Sequence, residues 1–214
     1  MEKWYCTIWE GPVAFWGGHK TGPNRVTLPA PTYSSVLGLL RAVMGHRGCQ
    51  WTIQEVRLLR EIQRYTITKR ELTAFPSEEN CVPARTPRTY ILLHDVKIAV
   101  FSTLHAPEPK YLKMFESRMG QGQHFNLRPC FGYKEYVVED FRFPEKGDDL
   151  TPISFSADCG IQPFGQDFTQ PKAPWYYAPL QVDSGVVRYP TWNEVRKLGL
   201  SRIIPGFPSN GEAA

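Results

Sequence analysis

At 214 residues and 42% hydrophobic content, the chain can bury one core, or one core with a small appendage, which excludes a disordered polypeptide. The longest apolar candidate, Tyr90 to Leu104, is interrupted by Asp95 and Lys97, and Met1 to Cys6 lacks the features of a secretory signal. The expectation is a soluble cytoplasmic protein with no membrane partner. A net charge of +4 permits an anionic partner without requiring one. Five widely spaced cysteines without a Cys-x-x-Cys pair encode neither a disulfide framework nor a zinc site, so reduced and mostly buried thiols are expected.

Lys3 to Trp9 is rich in aromatic and β-branched residues and predicts a strand closed by a turn at Gly11-Pro12, with Trp4 and Trp9 in the core. A glycine-rich loop with His19 and Lys20 follows. Thr32 then stands at an N-cap position, and Val36, Leu39, Leu40, Val43 and Met44 recur at helical spacing up to Gly45. Ile53 to Ile67 alternates in part and predicts a long strand or a hairpin arm. Basic residues concentrate from Arg57 to Arg88, and Ser77 to Pro87 reads as a loop. Thr89 to Thr103 is the strongest strand signal.

After Pro109 a second helix carries Leu112, Phe115 and Met119 on one face and stops at Gly120-Gln121-Gly122. Cys130 to Val138 predicts another aromatic strand. The order is that of an α+β, ferredoxin-like βαββαβ domain over 1–143, the arrangement of RNA-recognition domains. Short aromatic segments broken by prolines predict a small antiparallel β extension over 144–207, and 208–214 is read as a disordered tail.

Three segments carry a resemblance. Pro29-Ala30-Pro31-Thr32-Tyr33-Ser34-Ser35-Val36-Leu37-Gly38-Leu39-Leu40 opens the first helix. Ile53 to Arg64, ending in Lys69-Arg70-Glu71, matches a basic strand followed by a turn. Lys110-Tyr111-Leu112-Lys113-Met114-Phe115 runs through Arg118 to Gly122-Gln123-His124-Phe125 and Pro129 to Tyr136. In this order they resemble the CRISPR-associated RAMP superfamily, namely the Cas5 family subunit of type I-C Cascade complexes. That resemblance implies binding of the repeat-derived 5′ handle of CRISPR RNA and cleavage of its precursor. It also implies partners among the backbone RAMP and large subunits of Cascade, with target DNA left open as a further contact.

Metal-independent RNA cleavage needs a base, a cation for the developing charge and an acid for the leaving 5′-oxygen. The resemblance places a Tyr of the first helix and a Lys-His pair of the second in the active site. Tyr33 and Lys110 match, and Tyr111 stands at the His position. Free tyrosine titrates near 10, so a replacement imidazole is sought in His124 or His105. The catalytic candidates are therefore Tyr33, Lys110, Tyr111 and His124.

Arg57, Arg60, Arg64, Lys69 and Arg70 are read as phosphate contacts, with Trp51, Tyr65 or Phe75 stacking bases. Gly120, Gly122 and Gln123 bring amides to a phosphate beside Arg118 and Arg128. The pairs Glu78-Glu79, Glu139-Asp140 and Asp148-Asp149 are read as solvated surface, and neither metal nor cofactor is expected. Two other functions stay open: a non-catalytic handle-binding subunit, and a β-rich protein or carbohydrate interaction module.

Overall fold

The computed structural model describes residues 1–21, 24–72, 85–125, 127–170 and 172–202. A long strand, β1 (Glu2–Ala14), leads through a small hairpin, β2 (Gly18–Thr21) and β3 (Asn24–Thr27), to helix α1 (Tyr33–Val43). Strands β4 (Gln50–Leu58), β5 (Gln63–Leu72) and β6 (Arg85–His105) follow, then α2 (Pro109–Gly120) and the short β7 (Asp140–Arg142). The remainder holds β8 (Ala157–Gln166), β9 (Trp175–Val182), β10 (Val186–Arg188), α3 (Trp192–Leu198) and β11 (Ser201–Arg202). The protein is thus a mixed α and β structure built on antiparallel sheets.

The main sheet runs β10-β4-β6-β1-β7, every neighbouring pair antiparallel. β6 is its spine: the end near His105 lies between β1 and β4, while 85–94 carries β5 and touches β3. Alternation buries Trp51, Ile53, Val56 and Leu58 of β4, and a register shift between Ile53 and Glu55 moves the buried phase by one residue.

One face of this sheet is covered by the two helices. Thr32 caps α1 by accepting the Ser35 N–H, and Val36, Leu39, Leu40 and Val43 form its buried stripe. In α2, Leu112, Phe115 and Met119 are buried, and the Phe115 ring meets Tyr5 and Trp51 edge-on, each at 4.9 Å. A second sheet, β11-β9-β8, packs on α1 through Phe164, whose ring stacks on Tyr33 at 4.1 Å. β10 returns to pair with β4, so 157–195 contributes to the same apolar core as the first half of the chain.

Several local expectations are corrected. β1 runs through Gly11-Pro12, because the Phe131 ring packs over Gly11, whose Cβ would lie 3.0 Å from it. The missing Pro12 N–H falls past the end of β7, which pairs only with Ile8, Trp9 and Glu10. Trp9 is buried but Trp4 is 58% exposed, and Trp51 is buried and unavailable for base stacking. Lys69-Arg70-Glu71 lies within β5 rather than in a turn. Of the predicted loop, 77–84 lie outside the described residues and Arg85–Pro87 belong to β6; Phe75, Cys81 and the tail also lie outside.

Cys130 to Val138 forms a tight loop with one bridge, Cys130 to Val137. Its aromatic pattern reflects docking: Phe131 is fully buried against Trp16 at 4.9 Å, and its N–H donates to Tyr136 O at 2.7 Å. Cys159 is buried, whereas Cys6, Cys49 and Cys130 are half-buried.

Candidate nucleic-acid interface and active site

The chain turns sharply after α1. A Cβ on Gly45 would come within 2.7 Å of Arg41 O, so only glycine lets the backbone fold this closely into 46–49. Within that turn the Gly48 N–H donates to His46 Nδ1 at 3.2 Å. A backbone N–H can only donate, so the neutral imidazole carries its proton on Nε2. Nε2 lies 3.2 Å from Tyr111 Oη, and the two rings stack at 4.3 Å. The fold has therefore brought an imidazole to Tyr111 from 65 residues away.

Lys110 completes the cluster. Its ammonium sits 5.0 Å above the Tyr111 ring and pairs with Glu108 at 2.8 Å. The hydrogen bond to the Glu108 carboxylate raises the lysine's pKa and holds its side chain protonated. Lys110 and His46 are exposed and Tyr111 is half-buried, which leaves the cluster open to a polyanion.

His124 and His105 face elsewhere. His124 is exposed beyond the far end of α2, about 15 Å along the helix axis from Lys110. His105 uses Nδ1 on Glu2 at 3.2 Å and Nε2 on Thr52 at 3.1 Å.

Tyr33 lies at the start of α1, about 15 Å along the helix axis from its C-terminal end, where His46 sits. It is buried between Phe164 and Tyr189, its hydroxyl donates to Trp51 O, and burial pushes its pKa up. Its contacts are those of a packing residue. Tyr33→Phe is expected to leave RNA cleavage within a factor of about two, while Tyr33→Ala costs about 3–5 kcal/mol in urea denaturation. A large catalytic loss in a fully folded Tyr33→Phe would contradict this.

The basic candidates divide into paired and unpaired groups. Arg57 is held by Glu55 at 2.6 Å and lies over Phe101, and Arg60 is shared between Glu10 and Asp95. Lys69 pairs with Glu135 and the Tyr136 hydroxyl. Arg64 and Arg70 project from the opposite face of β5 and are exposed, with no ion-pair partner among the described residues. Tyr65 is half-buried and meets His94 edge-on at 5.8 Å.

Around Gly120 the amides close the helix: Gln123 N–H donates to Arg118 O and Gly122, at φ +62°, donates to Met119 O. Those N–H groups are spent on the cap and are not free to meet a phosphate. Arg118 is a strut, donating to Val43 O at 2.9 Å and lying 4.8 Å from the Phe125 ring. Arg128 is exposed, and Arg142 binds Asp148 at 2.6 Å. Among the described residues no group of three or more His, Cys, Asp or Glu side chains could hold a metal ion, and no helix is long and apolar enough to cross a membrane.

The family model described as CRISPR-associated protein (Cas_Cas5) matches residues 4–154, which contain both helices and the His46–Tyr111 pair. The chain belongs to the Cas5 family. It is 31% identical over 173 residues to the CRISPR pre-crRNA endoribonuclease Cas5d of Thermus thermophilus, covering 72% of this chain and 73% of the relative. It is 24% identical over 195 residues to the protein of the same name from Mannheimia succiniciproducens, covering 78% and 86%.

Two solved structures share the fold at 15% identity: a CRISPR-associated protein with a TM-score of 0.66, and a functionally uncharacterized protein from Streptococcus mutans with a TM-score of 0.65. Each covers 91% of this Cas5 chain and 96% of its own length. The family match ends at 154, so the second sheet lies outside it.

His46 escaped the sequence reading. The signal present was a histidine and an arginine flanked by Gly45 and Gly48 directly after a helix, a turn exposed enough to do chemistry.

Proposed function

We propose that this Cas5 chain binds CRISPR repeat RNA, holds its 5′ handle within a Cascade-type complex, and cleaves precursor crRNA. The attack is that of a ribose 2′-hydroxyl on its own phosphate, using this chain's side chains. The observation that carries the reading is the exposed Lys110–Tyr111–His46 cluster inside the span matched to the family, whose curated relatives are named pre-crRNA endoribonucleases. The expected neighbours are the backbone RAMP and large subunits, with target DNA as a further contact.

In this mechanism His46 Nε2–H donates to Tyr111 Oη, leaving the hydroxyl proton of Tyr111 free for the substrate. As the 2′-oxygen bonds to phosphorus and its proton passes to water, the bond to the 5′-oxygen breaks and Tyr111 protonates that oxygen. The products are a 2′,3′-cyclic phosphate and a 5′-hydroxyl. The phenolate is stabilised by Nε2–H and by the Lys110 ammonium, which also offsets the charge developing on phosphorus.

The strand order β4-β6-β1-β7, with α1 and α2 as the crossovers, supports a ferredoxin-like reading of 1–143. The sheet β11-β9-β8 supports an antiparallel extension over 144–207.

Incubation of the purified protein with repeat RNA in EDTA tests the proposal. One product ending in a 2′,3′-cyclic phosphate is expected. A second reading, a non-catalytic handle-binding subunit, is favoured by one observation, the tyrosine at 111 where the family motif has histidine. Tight binding of RNA that stays intact would establish it instead.

A further inference from the structure

Two grooves meet along the exposed side of α1. The first, about 650 Å³, lies between α1 and residues 125 and 127–134 and carries Arg41, Arg128 and Lys134, all exposed. The second, about 420 Å³, continues from it towards the second sheet and is walled by Tyr133, Trp175 and Tyr177. Ser34, Ser35 and Gly132 line both, so the two form one continuous track.

No described residue lining either groove is a carboxylate. Among the described residues, none of the three cations has an ion-pair partner. Uncompensated positive charge in a concave site favours a polyanion. The first groove also presents Phe125, 52% exposed, and the second Tyr133, 44% exposed. Aromatic faces beside a basic track are the elements that hold a single strand, bases stacked and phosphates paired. The first groove reaches Gly45, the residue that precedes His46 in the turn after α1.

We infer that this track holds the unpaired RNA flanking the scissile phosphate. Phosphates lie against Arg41, Arg128 and Lys134, and bases stack on Tyr133 and its neighbours from the second sheet. The inference rests on the reading of this chain as an RNA-cleaving protein and deepens it. The C-terminal sheet, outside the family match, becomes part of the substrate site through Trp175 and Tyr177. Ser34 and Ser35 stand where hydroxyls can meet the ribose 2′-hydroxyl, the group that distinguishes RNA from DNA.

The test is fluorescence anisotropy with a labelled, unstructured oligouridylate, alongside cleavage of repeat RNA by the same preparations. Arg128→Ala with Lys134→Ala is expected to weaken binding about tenfold and to lower the salt-dependence slope by about 1–2. Tyr133→Ala is expected to weaken it about tenfold with an unchanged salt slope. Photocrosslinking of a thiouridine-substituted strand is expected to label the second sheet, a readout that needs no variant. Wild type that cuts repeat RNA while both variants bind the oligouridylate as it does, and no crosslink forms there, would overturn the inference and leave the cleavage reading intact. Wild type that neither binds nor cuts repeat RNA would overturn both.

Discussion

Tyr111→Phe is expected to abolish most RNA cleavage while leaving RNA affinity almost unchanged. The substitution removes one oxygen, the atom that meets His46 Nε2 at 3.2 Å, and keeps the ring that stacks on the imidazole at 4.3 Å and lies under Lys110. Loss of a positioned proton donor costs about 10²–10⁴-fold in rate, and the half-buried ring keeps its packing. His46→Ala is expected to lower the rate as well, because the proposed phenolate would lose its hydrogen-bond donor. His46→Gly is expected to regain part of that rate when free imidazole is added. Single-turnover kinetics with protein in excess separates the chemical step from binding. Full activity in Tyr111→Phe would remove this residue from the chemistry.

Gly132→Ala has the largest expected effect on folding. Gly132 adopts φ +92°, and a Cβ there would lie 1.7 Å from Phe15 O, a contact no side-chain rearrangement relieves because the obstacle is backbone. The loop would have to move away from β1. It would pull on the Phe15 N–H bond to Phe131 O at 2.9 Å and on the fully buried Phe131 ring. Backbone strain together with lost packing gives a cost of at least about 3 kcal/mol. Gly122→Ala is the control: φ is +62°, nothing lies within 4 Å of the added carbon, and the cost is about 1 kcal/mol. Urea denaturation of the two variants distinguishes a steric clash from simple loss of glycine's conformational freedom.

The same loop explains where the sequence could not be read. Phe131, Tyr133 and Tyr136 give an aromatic pattern that suits a strand, yet they dock on Trp16, Phe15 and Tyr90 around a turn that only Gly132 permits. Local composition does not distinguish rings that ladder from rings that dock. Helices α1 and α2 were legible because their causes are local: Thr32 caps α1, Pro109 begins α2, and each carries an apolar stripe at helical spacing. Helix α3, inside the stretch read as a β extension, was missed although Thr191 and Glu194 form a capping box at its start.

Lys110 and Tyr111 could be found from their motif, but the imidazole could not. His46 and Tyr111 are 65 residues apart, and their meeting depends on how α1 and α2 pack across the main sheet. Nor does sequence distinguish Arg57 and Arg60, neutralised by Glu55, Glu10 and Asp95, from the exposed Arg64 and Arg70. For Arg60 the partner comes from across the sheet, where Glu10, opposite Lys97, lies 3.2 Å away, while Arg57 meets Glu55 along β4 itself.

The central claim is most directly tested by end-group analysis of repeat RNA incubated in EDTA with wild type and with Lys110→Ala, whose exposed side chain the fold does not need. The account predicts one cut by wild type, with a 2′,3′-cyclic phosphate on one fragment and a 5′-hydroxyl on the other, and a rate lower by about 100-fold or more in Lys110→Ala. Intact RNA with wild type, or an unchanged rate in Lys110→Ala, would contradict it.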